Sequence, residues 1–347
     1  MNTPSTSVKG AFRLDLEDLR GLEAYLVGRG FAQAGEAITA ERAGEGNMNC
    51  VVRVRLSERS LILKQARPWV EKYPSIAAPV ERAASEARFY HFAAQSSSVA
   101  AMMPRLLDFD NNSALLIMED LFPADTLLDC YQGTRSFNRL QLNELARYTS
   151  TLHRLTIPQS ERAAFLNEAM RKLNHEHIFD IPLRTDGALS EMLERITPGL
   201  DRVGDGLRRD RRLCEAVEKL GRCYLEPAGS SLIHGDLFPG SLLQMGSGQL
   251  RVIDPEFSFC GHPEFDIGVF YAHLMLSRHE ENTASFWLQV ALEDTPHSDS
   301  LALQFAGVEI MRRILGVAQL PASLSLEEKR NLLEQSREMI LQGVNGK

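Results

Sequence analysis

Ser231-Leu-Ile-His-Gly-Asp-Leu-Phe-Pro-Gly-Ser241 and Leu250-Arg-Val-Ile-Asp-Pro-Glu-Phe257 contain two short apolar runs, each leading into acidic residues: Asp236 in the first, Asp254 and Glu256 in the second. Either segment alone describes a buried strand end beside a solvated loop. Together, with Asp236 and Asp254 eighteen positions apart, they predict a hairpin-like pair presenting both carboxylates near one site. Phosphoryl transfer calls for such a set. One carboxylate accepts or positions the proton of an attacking hydroxyl, and others hold Mg²⁺ against nucleotide phosphates, because positioning and charge neutralisation carry most of the catalysis. Asp236 is the candidate base. Asp254 and Glu256, two apart on an extended segment, are expected to leave the same face and share a metal ion. His234 reads as a hydrogen-bonding residue of the loop rather than a catalyst.

On either side of this block the chain changes character. Residues 1–10 read as a disordered arm. From Asp15 to about Gly30, Leu16, Leu19, Leu22, Tyr25 and Leu26 recur at helical spacing. Strands are predicted at 50–56, 60–65 and 114–118, with a helix over 80–94. Pro68, Pro74 and Pro79 predict irregular backbone over 66–79. Beyond about residue 124 helices dominate, at 137–155, 159–172, 186–197 and 208–225. A short β-rich block at 231–259 interrupts them. Helix resumes from 263, and Ser325-x-x-Glu328 reads as a capping box opening the last one. The expected fold is α+β and two-lobed, with a β-rich N-terminal lobe over 11–120, a larger mainly helical C-terminal lobe over 121–347, and a hinge at Glu119 to Ala124.

Bulk properties narrow the class. The 347 residues are 44% hydrophobic and 24% charged, enough to bury a large core without disulfides. The five cysteines, at 50, 130, 214, 223 and 260, form no C-x-x-C pair and read as reduced thiols. The opening MNTPSTSVKG has no apolar signal region, and no run approaches the ~18 apolar residues of a membrane span, so a soluble cytoplasmic protein is expected. A net charge of −8 argues against nucleic acid or anionic membrane as partner. Phosphates must then be met by local cations.

Lys64 is the first candidate, inside the apolar run Ser60-Leu-Ile-Leu-Lys-Gln65. A lysine there either snorkels to an edge or binds phosphate while paired to a carboxylate, because an unpaired buried charge is costly. Glu86, on the 80–94 helix, is the expected partner. Gly44-Glu-Gly46-Asn47 is a turn-rich loop whose backbone can approach phosphates closely. Main-chain groups near Glu119 and Leu121, at the hinge, are placed to meet an adenine edge. Arg312 and Arg313 lie on an otherwise apolar helical segment, either as a solvated pair at its edge or as a clamp on substrate hydroxyls or the transferring phosphate.

At these residues the chain resembles the 5-methylthioribose kinase family, in the aminoglycoside phosphotransferase and choline kinase branch of the protein-kinase-like fold. His234-x-Asp236 followed by Asp254 carries the broader likeness. Gly44-Glu-Gly-Asn-Met-Asn49 resembles the family's G-D-G-N-L-N loop, and Lys64-Gln-Ala66 its K-Q-A strand. His234-Gly-Asp-Leu with Gly240-Ser241 resembles H-G-D-L-H-T-G-S. Asp254-Pro-Glu-Phe257 and Phe265-Asp-Ile-Gly268 resemble D-P-E-F and F-D-I-G, and Met311-Arg-Arg-Ile-Leu-Gly-Val-Ala318 its paired-arginine helix. The likeness runs from about residue 15 to 320. It implies Asp236 as base, Asp254 and Glu256 as Mg²⁺ ligands, Lys64 on the phosphates of ATP, and Arg312 or Arg313, with Ser241, toward the sugar. The acceptor would be the anomeric hydroxyl of 5-methylthioribose, giving the 1-phosphate in methionine salvage. The resemblance also suggests a homodimer.

The chain departs from the family pattern at three places. Ala77-Ala78-Pro79 stands where the family has a tryptophan-bearing W-P loop, Phe238-Pro239 replace histidine and threonine, and Gln319 follows Ala318 where histidine is usual. All three fall in loops expected to touch substrate or nucleotide. Two other readings stay open: a kinase of the same fold acting on another sugar, an aminoglycoside or an amino alcohol, and a catalytically silent nucleotide-binding protein. The second would be marked by loss of Lys64, Asp236 or Asp254, all of which are present.

Overall fold

The structure is a computed structural model and describes residues 10–44, 48–226, 231–277, 279, 282–293 and 295–345. The arm expected at 1–10 therefore lies, except for Gly10, outside the described residues. By internal contacts the chain divides into two units. One runs through Gln95 and takes in Met103–Phe122; the other comprises Ser96–Met102 and the chain from Pro123 onward.

The first unit is built on an antiparallel sheet of β1 (Thr39–Arg42), β2 (Asn49–Arg55), β3 (Ser60–Ala66), β6 (Leu106–Asp110) and β7 (Leu115–Glu119), in the order β1-β2-β3-β7-β6. Side chains alternate across a strand, so Val52 and Val54 face the same way, as do Leu61 and Leu63. These four pack with Leu115, Ile117 and Leu22 and Leu26 of α1 (Leu19–Gly28) into one apolar cluster. Asp18 starts α1 by accepting the Gly21 N–H at 2.9 Å. Lys64 stands in register with Val51 and Leu116. The helix α2 (Arg82–Ala93) packs against β3, β6 and β7.

The stretch 66–79, expected to be irregular, contains a small antiparallel hairpin, β4 (Trp69–Val70) with β5 (Tyr73–Ala77). Its prolines are compatible with pairing because Pro68 and Pro79 flank it and Pro74 sits in a two-stranded ribbon, where a strand has an unpaired side.

The second unit opens with α3 (Ser97–Ala100) and β8 (Ala124–Thr126), then α4 (Arg139–Arg154), α5 (Glu168–His175), α6 (Gly187–Ile196), α7 (Leu200–Arg208) and α8 (Arg211–Leu225). Next come β9 (Leu232–Ile233), β10 (Leu242–Met245), β11 (Leu250–Val252) and β12 (Phe259–Cys260), and finally α9 (Pro263–Leu276), α10 (Asn282–Leu292), α11 (Asp299–Leu315) and α12 (Leu326–Asn345). The Ser325–Glu328 capping box is formed: the Ser325 N–H donates to Glu328 Oε2 at 2.7 Å and the Glu328 N–H to Ser325 Oγ at 3.2 Å. At the centre α9 crosses α11 at Gly268. A Cβ there would meet the Ala302 carbonyl oxygen at 2.2 Å, so the approach requires glycine. α12 closes over α11 at Gly307, whose carbonyl accepts from Ser336 Oγ at 2.7 Å.

The two apolar runs do not pair with each other as expected. β9 pairs with β12, and β11 with β10, which continues to β8. They are joined instead by a main-chain bond, the Ile253 N–H to the Ser241 carbonyl at 2.9 Å, and by a side chain, His234 Nε2, 3.0 Å from the Ile253 carbonyl. Among the described residues, no helix is long and apolar enough to cross a membrane, and all five cysteines are free thiols.

Candidate active site

Asp236 lies three residues past the Ile233 end of β9, in a loop that the sequence fixes from both sides. Gly235 has φ +83°, and a Cβ on it would sit 2.2 Å from the Phe257 carbonyl oxygen. Only glycine supplies that turn without strain. The His234 and Gly235 N–H groups donate to the two oxygens of Asp266 on α9, at 2.8 and 2.9 Å. Asp266 is fully buried and also takes His153 Nε2 of α4 at 2.9 Å. Burial alone would raise this carboxyl, but the hydrogen bond and charge of His153, with His234, hold it below its ordinary range. A buried carboxylate thus grips the backbone just ahead of Asp236.

The Asp236 side chain is 17% exposed, and two guanidinium groups from α11 lean on it. Arg313 Nη2 and Arg312 Nη1 lie 3.3 and 3.6 Å from its Oδ1. Both arginines are buried, which settles the sequence alternatives against a solvated pair. Both are also held by Glu309, one turn earlier on α11: Arg313 Nε lies 2.6 Å from Oε1 and Arg312 Nη1 3.1 Å from Oε2. Behind Glu309 stands His273 of α9, its Nε2 3.0 Å from Oε1, and Tyr131 Oη lies 2.5 Å from His273 Nδ1. Burial pushes His273 down to about 4, so the ring is neutral. Its partners then assign the proton to Nε2, which donates to Glu309, while Nδ1 accepts from Tyr131. Burial would raise the Glu309 carboxyl, but Arg312, Arg313 and His273 outweigh it and hold it well below the usual range. Phe238 covers the outer side, its ring centre 5.0 Å from the Arg313 guanidinium and 5.1 Å from the His273 ring.

A pH prediction follows from His273. Its folded value of about 4 is below the unfolded 6.5, so above pH 6.5 neither state binds the proton and nothing is lost. As pH falls toward 4 only the unfolded chain protonates, and stability drops by about 1.4 kcal/mol per unit. Burial lowers His177, His279 and His297 in the same direction. Urea unfolding is expected to show a loss of at least about 2 kcal/mol between pH 7.5 and pH 5. An unchanged midpoint would overturn the assignment.

Asp254 and Glu256 do not sit on an extended segment. Asp254 has φ +69° and Glu256 begins a turn, so the same-face argument from strand periodicity does not apply. The turn is held by Asn167, whose Nδ2 donates to the carbonyls of Glu256 and Ser258 at 2.9 and 3.0 Å. A non-glycine residue at positive φ is costly and persists where its surroundings over-determine it, a pattern that clusters at functional sites. These two residues offer only hard carboxylate oxygens, the donors Mg²⁺ takes when substrate phosphates complete its shell. Ser241 is 1% exposed. Its hydroxyl closes the turn by accepting the Phe238 N–H at 2.9 Å and donating to the Phe238 carbonyl at 2.8 Å.

The other candidates fall in the first unit. Lys64 Nζ lies 2.8 and 2.7 Å from the two oxygens of Glu86, with side chains 8% and 2% exposed. Gly44 has φ +73°; Gly46 and Asn47 lie outside the described residues. Glu119 ends β7, its N–H donating to the Arg105 carbonyl at 2.9 Å and its carboxylate accepting the Arg105 N–H at 3.0 Å. Leu121 follows, half-buried, after Asp120, which takes the Arg53 guanidinium at 2.7 and 3.1 Å. Sequence reading missed Arg82. Fully buried one turn before Glu86, it donates to Asn49 Oδ1 and to the carbonyls of Met48, Arg67 and Pro79 at 3.0, 3.0, 2.8 and 2.6 Å. One guanidinium thus ties the base of the glycine loop and the end of β3 to the helix of Glu86.

A β-sheet unit carrying a buried Lys–Glu pair, and a helical unit carrying an aspartate loop with paired arginines, define a phosphotransferase. The chain belongs to the phosphotransferase enzyme family, whose model it matches over residues 39–294. It is similar along most of its length to methylthioribose kinases: 28% identical to that of Exiguobacterium sibiricum, over 89% of this chain and 87% of that protein, and 26% identical to that of Geobacillus sp. (strain WCH70), over 92% and 88%. Its fold is similar to that of a spectinomycin phosphotransferase solved with ADP and spectinomycin (TM-score 0.54, 13% identity, 94% of this chain and 98% of that one). A Plasmodium vivax ethanolamine kinase is also similar (TM-score 0.54, 12% identity, 96% and 89%). The α+β, two-lobed kinase-like fold expected from the sequence is the fold these comparisons give.

Proposed function

We propose that this chain is a cytoplasmic ATP-dependent kinase that phosphorylates the anomeric hydroxyl of 5-methylthioribose, yielding the 1-phosphate and ADP for methionine salvage. The observation that carries the reading is the Asp236 carboxylate, partly exposed and flanked by two buried arginines, in a chain similar along most of its length to methylthioribose kinases. Asp236 takes the proton as the acceptor oxygen attacks the γ-phosphorus. The bond to the β–γ bridging oxygen breaks, and ADP leaves. Arg312 and Arg313 orient acceptor hydroxyls and offset charge on the transferring group. Lys64, fixed by Glu86, meets the ATP phosphates together with main-chain groups of the glycine loop that Gly44 opens, and main-chain groups at Glu119 and Leu121 take the adenine edge. Mg²⁺, held by Asp254 and Glu256, would neutralise phosphate charge. Ser241 acts toward the acceptor through the turn it braces at Phe238.

Phe238 favours a second reading, the same reaction on another acceptor. The family pattern has a polar histidine there, whereas this ring lies against Arg313 and limits what that guanidinium can reach. One assay separates the two: ADP release with Mg-ATP against methylthioribose, ribose, aminoglycosides and choline. Turnover is expected on methylthioribose, with kcat/KM at least about tenfold above the others. Turnover on a different compound and none on methylthioribose would replace the acceptor and keep the chemistry.

A further inference from the structure

Two carboxylates share the arginine pair of α11, and phosphoryl transfer as described accounts for only one. Glu309 is 1% exposed, and its contacts with the arginines, 2.6 and 3.1 Å, are shorter than those to Asp236, 3.3 and 3.6 Å. The spacing explains this. Residues three and four before Arg312 and Arg313 share their helix face, and Glu309 stands three before the first and four before the second. The arginines are therefore anchored to Glu309 and only lean on Asp236. Their donors are not exhausted, since Arg312 Nε is buried without a partner. Glu309 is itself braced by the neutral His273, which Tyr131 holds from behind. Two guanidinium charges face two carboxylate charges, and the cluster balances.

Were Glu309 uncharged, both guanidinium groups would have Asp236 as their one anionic partner in this cluster, and would close onto the oxygen that must receive the acceptor's proton. We propose that Glu309 is a positioning residue for phosphoryl transfer: it draws the arginine pair back from Asp236, leaving that carboxylate open to the acceptor hydroxyl and the outer guanidinium faces turned toward the acceptor. The proposal rests on the reading of Asp236 as base.

The test is Glu309→Gln, which keeps the side-chain volume and removes the charge. With ATP and acceptor varied separately, kcat is expected to fall on the order of tenfold or more and KM for the acceptor to rise, while KM for ATP stays within about twofold. A folded Glu309→Gln with kcat and acceptor KM near wild type would overturn the proposal. So would equal rises in both KM values with kcat unchanged, the pattern of a general loosening. Should this variant fail to fold, Glu309→Asp decides: it keeps the charge but withdraws it by one methylene, so the same kinetic split is expected and wild-type kinetics would overturn the idea. Asp236→Asn, assayed in parallel, keeps the two claims apart. Full activity there removes the base and, with it, the positioning role argued from it; an inactive Asp236→Asn beside a normal Glu309→Gln keeps the base and removes the positioning role alone.

Discussion

Asp236→Asn is expected to lower kcat by on the order of 10²–10⁴-fold while leaving KM for ATP within about twofold and the fold intact. Asparagine matches the shape of aspartate, so the Gly235 turn and its hydrogen bonds to Asp266 are undisturbed. What disappears is the capacity to accept a proton. Both arginines remain in contact with Glu309, so each guanidinium keeps an anionic neighbour while the cluster gains one net positive charge. Because the Asp236 side chain is partly exposed and its arginine contacts exceed 3 Å, the stability cost should stay near 1 kcal/mol. Steady-state kinetics with each substrate varied, beside a thermal melt, make the measurement. Near-normal kcat would remove Asp236 as base, whereas a collapsed melting curve would mean that the swap had disturbed the loop rather than the chemistry.

Local patterns in the sequence were good guides where they were also the physical cause of structure. The 3.6-residue periodicity over 137–155 became α4 (Arg139–Arg154), and the Ser325–Glu328 pattern became a cap with both hydrogen bonds formed. Lys64 and Glu86 could be paired because a buried strand lysine needs a carboxylate and the next helix supplied one. Features made by distant partners stayed hidden. The two acidic loops are joined by the His234 imidazole at the Ile253 carbonyl and by the Ile253 N–H on the Ser241 carbonyl, beside the β10–β11 pair, rather than by the two apolar runs pairing with each other, and the positive φ of Asp254 has no local signature. Tyr131, His273 and Glu309 lie on three separate stretches of chain and meet only in the folded core. Glu309 did leave a trace: a carboxylate spaced three and four residues before two arginines, in an otherwise apolar run, is too costly to bury without them. Asp266 left a similar one, as an acid inside α9, almost all of whose residues are buried.

That buried acid should give the largest stability effect in the molecule. Asp266→Ala removes the acceptor of three hydrogen bonds, from the His234 and Gly235 N–H groups and from His153. Both N–H groups are buried. Each orphaned donor costs about 1–3 kcal/mol, so a total loss of about 3–5 kcal/mol is expected in urea unfolding. Activity should fall with it, because Gly235 holds its left-handed turn against the Phe257 carbonyl and needs those bonds to keep Asp236 in place. The measurement belongs at pH 7.5. The Asp266 carboxyl is lowered in the fold, so its contribution is fully present above the unfolded value of 3.8 and fades only as pH falls through the folded one, while the loss from His273 is silent above 6.5. A cost under about 1 kcal/mol would mean that water or a neighbouring group replaces the carboxylate, and that the Asp236 loop is held by something other than Asp266.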